Sequence, residues 1–231
     1  MQDKISLIKD VYTVIKESAE HSGRDVSEIK LVAVSKTKPV EEIISFRRAG
    51  IREFGENYVQ EFVDKFEQLK DADILWHFIG SLQRNKVKYI IDKVYMIHTV
   101  DSLALATEIQ KQAEKKNVYK VKVLLQVNVG HETQKGGIEP VDLCEIYNKI
   151  KDMDRISVKG LMSIPPFLPA EELRPYHREL FDLRTKVIRE CNADINEFKE
   201  LSMGMSADFD VAIEEGATII RLGSILFGER S

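Results

Sequence analysis

The chain has 231 residues, 43% hydrophobic and 31% charged, enough for a sizeable core in an ordinary globular protein. Its formal net charge of −4 is interspersed, which leaves no basic face for nucleic acid; "QRNKVKY" reads as the solvated side of a helix. No apolar run approaches the roughly 20 residues that span a bilayer, and the acid-bearing N-terminus resembles neither a signal nor a transit peptide.

An amphipathic helix opens the chain at about residues 3–21. The first strand, "KLVAVS" (30–35), ends on Ser35 and Lys36 and gives way to the helical pattern "PVEEIISFRRAG". Alternation continues with "REFG" (52–55) and "QEFVDKFEQLK", then "LWHFIG" (75–80) and "LQRNKVKYIIDK", then "VYMIHTV" (94–100) and "SLALATEIQKQAEKK". The second half runs "KVLLQVNV" (122–129), "PVDLCEIYNKIKD", "SVKGLMSI" (157–164), "LRPYHRELFDLRTKVIREC", "EFKELSM" (197–203), a helix from Ser206 to Gly216, and "TIIRLGS" (218–224). Several helices start at Pro or after Ser or Asp, as helix N-termini prefer. Eight strands joined by helices, with no Pro/Gly/Ser-rich linker, imply an α/β fold: a (β/α)8 TIM barrel with an additional N-terminal helix, one domain over 1–231. A doubly wound open sheet is the alternative, but it has fewer strands and no GxGxxG follows a strand here. Cys144 and Cys191 lie far apart without a CxxC, and the five histidines lack metal-ligand spacing. The expectation is a cytoplasmic, metal-free protein with reduced thiols. The absence of a long exposed apolar stripe suggests a monomer.

In such barrels the active site forms at the C-terminal ends of the strands. Lys36 stands there, on the face of Val34 and Val32, where apolar walls would favour the neutral, nucleophilic amine. The other reading is an ordinary solvated strand-end charge. Arg221 lies near the end of the last strand, which would hydrogen-bond to the first and make the two cations neighbours; a salt bridge to a glutamate is the structural alternative. The loops after strands seven and eight, "LSMGMSADFD" and "RLGSILFGE", carry Gly204, Ser206, Gly223 and Ser224 where barrels commonly bind phosphate. Ser206 also reads as a helix N-cap, so an anion there would meet a helix N-terminus. A Schiff-base lysine, a phosphate cradle and an arginine together suit pyridoxal 5′-phosphate (PLP), and an always-protonated arginine at the ring nitrogen would leave the ring a weak electron sink. Asp208 and Asp210 read as first-turn helix acids rather than metal ligands, and Lys135 as a loop lysine.

"AVSKTKP", "FGENYVQE", "WHFIGSLQRNK", "IHTVDS", "GLMSIPP" and "LSMGMSADFDVAIEEGATIIRLGSILFGER" together resemble the YggS/PROSC family of pyridoxal phosphate homeostasis proteins, from about residue 30 to the C-terminus. Members look like the barrel domain of alanine racemase standing alone. The resemblance implies that Lys36 carries the aldimine and Arg221 faces the pyridine nitrogen. It implies that Ser206, Gly223 and Ser224 hold the phosphate, that Asn57 and Met162 line the ring, and that Met203 and Met205 lie near the phosphate loop. His77 ends a strand and reads equally as a hydrogen-bonded structural histidine. Ser81 stands where the family usually has His or Pro, in a loop.

Two functions follow from these features. A racemase needs a second acid/base opposite the lysine, from a partner subunit's β-domain, and this sequence ends directly after the barrel. The expectation is therefore intracellular PLP homeostasis: storage and delivery to PLP-dependent apoenzymes, and balance of linked amino and keto acids, without a catalysed reaction. The alternative is a PLP-dependent enzyme with weak racemase or related activity. A class I aldolase would place its lysine on strand six, where "GLMSIPP" offers none.

Overall fold

Short β-branched runs separated by helical segments can pair in parallel only through crossovers, and here the crossovers carry the sheet around until it closes. The computed structural model describes residues 2–132 and 136–228; Lys135 lies outside them. Its strands are β1 (Lys30–Val34), β2 (Glu53–Glu56), β3 (Leu75–Phe78), β4 (Met96–Val100), β5 (Val121–Gln126), β6 (Ile156–Met162), β7 (Glu200–Ser202) and β8 (Ile219–Leu222). They form a closed parallel barrel in chain order, with β1 bonded to β8. The helices are α1 (Gln2–His21), α2 (Val40–Arg48), α3 (Val59–Leu69), α4 (Val87–Ile90), α5 (Leu103–Lys115), α6 (Leu143–Ile150), α7 (Ala170–Cys191), α8 (Phe209–Glu214) and α9 (Ser224–Phe227). The expected (β/α)8 barrel with an N-terminal helix is the fold observed. Helix α1 buries Ile8, Val11, Ile15 and Ala19, one helical face, and its ends are tied by Lys4 to Glu42 on α2 and by His21 to Glu214 on α8.

Among the elements that differ from expectation are two of the connecting helices. "LQRNKVKYIIDK" forms only a 3-10 turn, Arg84–Lys86, and the single turn α4. Helix α7 begins at Ala170, behind Pro169, three residues before the expected start.

Strand alternation sorts the core into two shells. Phe54, Trp76, Phe78, Ile97 and Leu222 face outward into a continuous layer beneath the helices. Val32, Met96, Leu124, Met162 and Ile219 face inward and pack together inside the barrel. Strand β6 changes faces partway: Val158 pairs with Val123 against the outer layer, then Gly160 pairs with Leu124, so the register slips by one residue at Lys159. Without that bulge, alternation from Ile156 and Val158 would turn Met162 outward; with it, Met162 points into the barrel.

Cys144 and Cys191 are free thiols. Among the described residues no helix is long and apolar enough to cross a membrane, and no group of His, Cys, Asp or Glu could hold a metal ion.

Candidate functional site at the barrel mouth

Lys36 is half-buried at the C-terminal end of β1, two residues beyond the end of the strand, where the barrel opens. Val32 is inside the barrel, so the expected face is the observed one. The residues flanking Lys36 are clamped by a network that sequence reading missed. The Ser35 hydroxyl donates to Glu56 Oε1 at 2.6 Å, and Lys65 Nζ on α3 donates to the Ser35 carbonyl and to Glu56 Oε1, both at 2.7 Å. Lys65 also reaches Glu61, whose Oε1 accepts the Thr37 amide at 2.5 Å. Thr37 itself sits at φ +63°, a left-handed conformation that a β-branched residue adopts only under constraint. Burial raises the Glu56 carboxyl above its ordinary range, against the opposing pull of Lys65.

Arg221 lies deeper than expected. Strands β1 and β8 do pair, but Arg221 is opposite Val32, four residues before Lys36, an offset of about 13 Å along the strand. The two cations are therefore stacked along the barrel axis, not side by side at its rim. Arg221 makes no salt bridge among the described residues: Nη1 donates to Ser202 Oγ at 2.7 Å and Nη2 to the Ser163 carbonyl at 2.9 Å. Burial pushes its pKa down to about 10, only partly opposed by Asp208, so it stays a cation near neutral pH.

Behind Arg221 the barrel interior is polar. Ser202 Oγ lies 2.9 Å from His98 Nδ1, and His98 Nε2 lies 2.8 Å from His77 Nδ1. His77 Nε2 is 3.1 Å from Glu53 Oε2, in contact but not aligned for a hydrogen bond. Ser202, His98 and His77 are fully buried. His77 is thus a hydrogen-bonded interior histidine. Burial, with His77, Arg221 and Lys30 adding to it, lowers the pKa of His98 well below its ordinary value, so its imidazole is neutral.

The loops after β7 and β8 converge as expected, with a different local cause. Ser206 does not cap α8; Asp208 occupies that position, its carboxylate accepting from the Met205 amide at 2.7 Å and from His177 Nε2 at 2.9 Å. Helix α8 has only six residues and a buried carboxylate at its start, so it offers no anion site of its own. The Ser206 hydroxyl instead accepts the amides of Gly223 (3.2 Å) and Ile225 (3.3 Å), tying the two loops together next to the exposed Ser224. Gly204 is required there, at φ +86° with Ala212 Cβ 2.6 Å from where its own Cβ would stand. Gly223 is not: its φ is −113° and a Cβ would meet Val34 at ordinary contact distance.

Met162 is buried inside the barrel and Asn57 follows β2 at the mouth. Met203 is buried in the outer layer and Met205 is exposed. Asn57 Oδ1 and Ser163 Oγ, at the ends of β2 and β6, are buried without a hydrogen-bond partner, as is Glu56 Oε2 beside them. Ser163 was not anticipated; nothing in "GLMSIPP" marks a serine whose carbonyl meets an arginine two strands away. A cavity of about 550 Å³ opens at the opposite end of the barrel, among Arg24, Lys30, Arg178 and Glu200, but those charges mostly pair with neighbouring side chains. The mouth, with its lysine, arginine and orphaned polar atoms, is the better candidate.

Residues 13–231 match the family model "Alanine racemase, N-terminal domain". A protein of Aquifex aeolicus named pyridoxal phosphate homeostasis protein is 51% identical over 217 residues, 94% of this chain and 93% of its own length. Among solved structures, an unknown protein from Bifidobacterium adolescentis superposes with a TM-score of 0.91 at 33% identity, covering 98% of this chain and 95% of its own. PipY of Synechococcus elongatus, solved with PLP bound, superposes with a TM-score of 0.81 at 34% identity, covering 93% of this chain and all of its own.

Proposed function

The chain belongs to the family of pyridoxal phosphate homeostasis proteins built on the alanine racemase N-terminal domain, and from that premise we propose that it binds PLP at the barrel mouth, holding it for storage and delivery. The observation that carries this reading is the buried Arg221 guanidinium, held by neutral oxygens beside a mouth where Asn57 Oδ1 and Ser163 Oγ lack partners. A buried cation and orphaned polar atoms are costly unless a polar ligand completes them. PLP supplies an aldehyde that takes a lysine amine and an aromatic ring that withdraws electrons.

In this reading Lys36 holds the cofactor covalently through Nζ. Ser206, Gly223 and Ser224 receive its phosphate where the last two loops meet, and Asn57 and Met162 border its ring. Arg221 can only donate, so a ring nitrogen facing it keeps its lone pair and stays unprotonated. That weakens the ring as an electron sink, which suits a carrier better than an enzyme. We extend the reading to a single unit over 1–231, acting as a monomer in the cytoplasm and passing PLP to apoenzymes that depend on it.

The test is uptake of PLP by the purified protein, followed by absorption spectroscopy, borohydride reduction and peptide mapping. The expected result is a yellow protein with the adduct on Lys36, and no adduct in Lys36→Ala. A protein that stays colourless in excess PLP would overturn the reading. Loaded protein incubated with L-alanine is expected to form no D-alanine above the free-PLP background. Sustained conversion would favour the weak-racemase alternative.

A further inference from the structure

The interior of a (β/α)8 barrel is ordinarily filled by branched apolar side chains in layers. Here four polar side chains from four strands, His77 of β3, His98 of β4, Ser202 of β7 and Arg221 of β8, occupy it in one connected line, with Glu53 of β2 at its far end. Desolvating such groups is costly unless every donor finds an acceptor.

The chemistry of the two ends sets the direction of the line. Arginine has donors only, so Arg221 Nη1 donates a hydrogen bond to Ser202 Oγ. The Ser202 hydroxyl hydrogen is then free to point at His98 Nδ1, 2.9 Å away. A neutral His98 with a bare Nδ1 carries its proton on Nε2 and donates it to His77 Nδ1 at 2.8 Å. His77 in turn carries its proton on Nε2, the atom 3.1 Å from the Glu53 carboxylate, which only accepts. One assignment of tautomers satisfies all the internal links. With the Ser163 carbonyl on Nη2, the guanidinium is tethered at two of its three nitrogens, which fixes the plane of the group.

We propose that Ser202 and His98, backed by His77 and by the Glu53 carboxylate in contact with it, are positioning residues for Arg221, a one-way line of hydrogen bonds from Arg221 to His77 that holds the guanidinium in the orientation from which it meets the ring nitrogen of the bound cofactor. This rests on the PLP reading above. None of the four needs to touch the cofactor: each acts through the next, and Arg221 alone makes the contact.

The experiment compares wild type with Ser202→Ala, His98→Leu and His98→Asn, each loaded with PLP. Ser202→Ala is the smallest change that cuts the line. His98→Leu removes the acceptor for Ser202, whereas His98→Asn keeps an oxygen acceptor near the Nδ1 position. Three quantities are read: the pH midpoint of the visible absorption band, the rate of PLP release to a scavenging apoenzyme, and the melting temperature without PLP. Ser202→Ala and His98→Leu are expected to move the midpoint by about one pH unit or more and to speed release about tenfold, as loss of one hydrogen bond to a charged group predicts. His98→Asn is expected to stay near wild type in both. A merely structural line would lower the melting temperature and leave the midpoint of the folded, loaded protein where it was; that outcome overturns the proposal. Wild type that takes up no PLP overturns the PLP reading as well, and it is distinguished because the failure then appears before any variant is made.

Discussion

Replacing Lys65 by methionine is expected to cost about 3–5 kcal/mol of folding stability, the usual penalty for stranding one member of a buried ion pair. Methionine keeps most of the apolar stem of the side chain, so lost packing contributes little. What remains is Glu56, fully buried, with Oε2 already lacking a partner and only the Ser35 hydroxyl left on Oε1. The loss should also depend on pH. Burial already holds the folded Glu56 pKa above the unfolded value of about 4.3. Between those two values the folded state binds the proton more tightly, so stability falls as pH rises through the window. Without the Lys65 ammonium the folded pKa moves higher and the window widens, so the deficit should be larger near pH 8 than near pH 5. Urea unfolding at the two pH values measures it. A deficit under about 1 kcal/mol, or one equal at both, would mean that the pair is not what secures Glu56.

Gly160→Ala is the second large effect. Gly160 has φ +149°, and a Cβ on it would lie 1.9 Å from the Glu200 carbonyl oxygen and 2.7 Å from its carbon. Those atoms are backbone of β7, paired in register with Gly160, so neither can swing aside. Backbone strain and the clash together predict a loss of about 3 kcal/mol or more. The second consequence is positional. Relief of the clash would undo the slip at Lys159 and turn Met162 toward the outer layer, so surviving folded protein should bind PLP more weakly. Folding to near wild-type stability would show that β6 has another way past β7.

The order of strands was legible because a parallel barrel repeats one local signal: a short apolar run, a charged helical period, then another run. Strand β7 was the least well bounded, three residues against the seven of "EFKELSM", because Asn196 and Phe198 close a turn on Asp194 where the hydropathy still reads as strand. Lys36 and Arg221 could be found because each stands at a strand end where a charge breaks an apolar pattern. Their separation could not, since it depends on the β1–β8 register. The Glu53–His77–His98–Ser202–Arg221 line was out of reach for the same reason: its successive members are 19 to 104 residues apart and meet only across the closed barrel. Ser206 and Asp208 are both good capping residues two positions apart, and local pattern cannot choose between them. The Gly223 and Ile225 amides decide it by drawing the serine hydroxyl to the neighbouring loop. The register slip at Gly160 leaves no mark beyond a glycine inside a strand.

The left-handed backbone at Thr37 has a thermodynamic consequence. The amides of Ser35, Thr37 and Lys38 all have protein acceptors, so the turn carrying Lys36 is as well bonded as the strand below it. A turn of this kind in water would sample many shapes, and capturing an aldehyde on it would require selecting one of them. Here that selection is made when the chain folds, and Lys65 and Glu61 enforce it. On the proposal that Lys36 takes the cofactor's aldehyde, capture would lose little further entropy and release would gain little, which leaves the rates of both to the chemistry of the amine rather than to motion of the backbone.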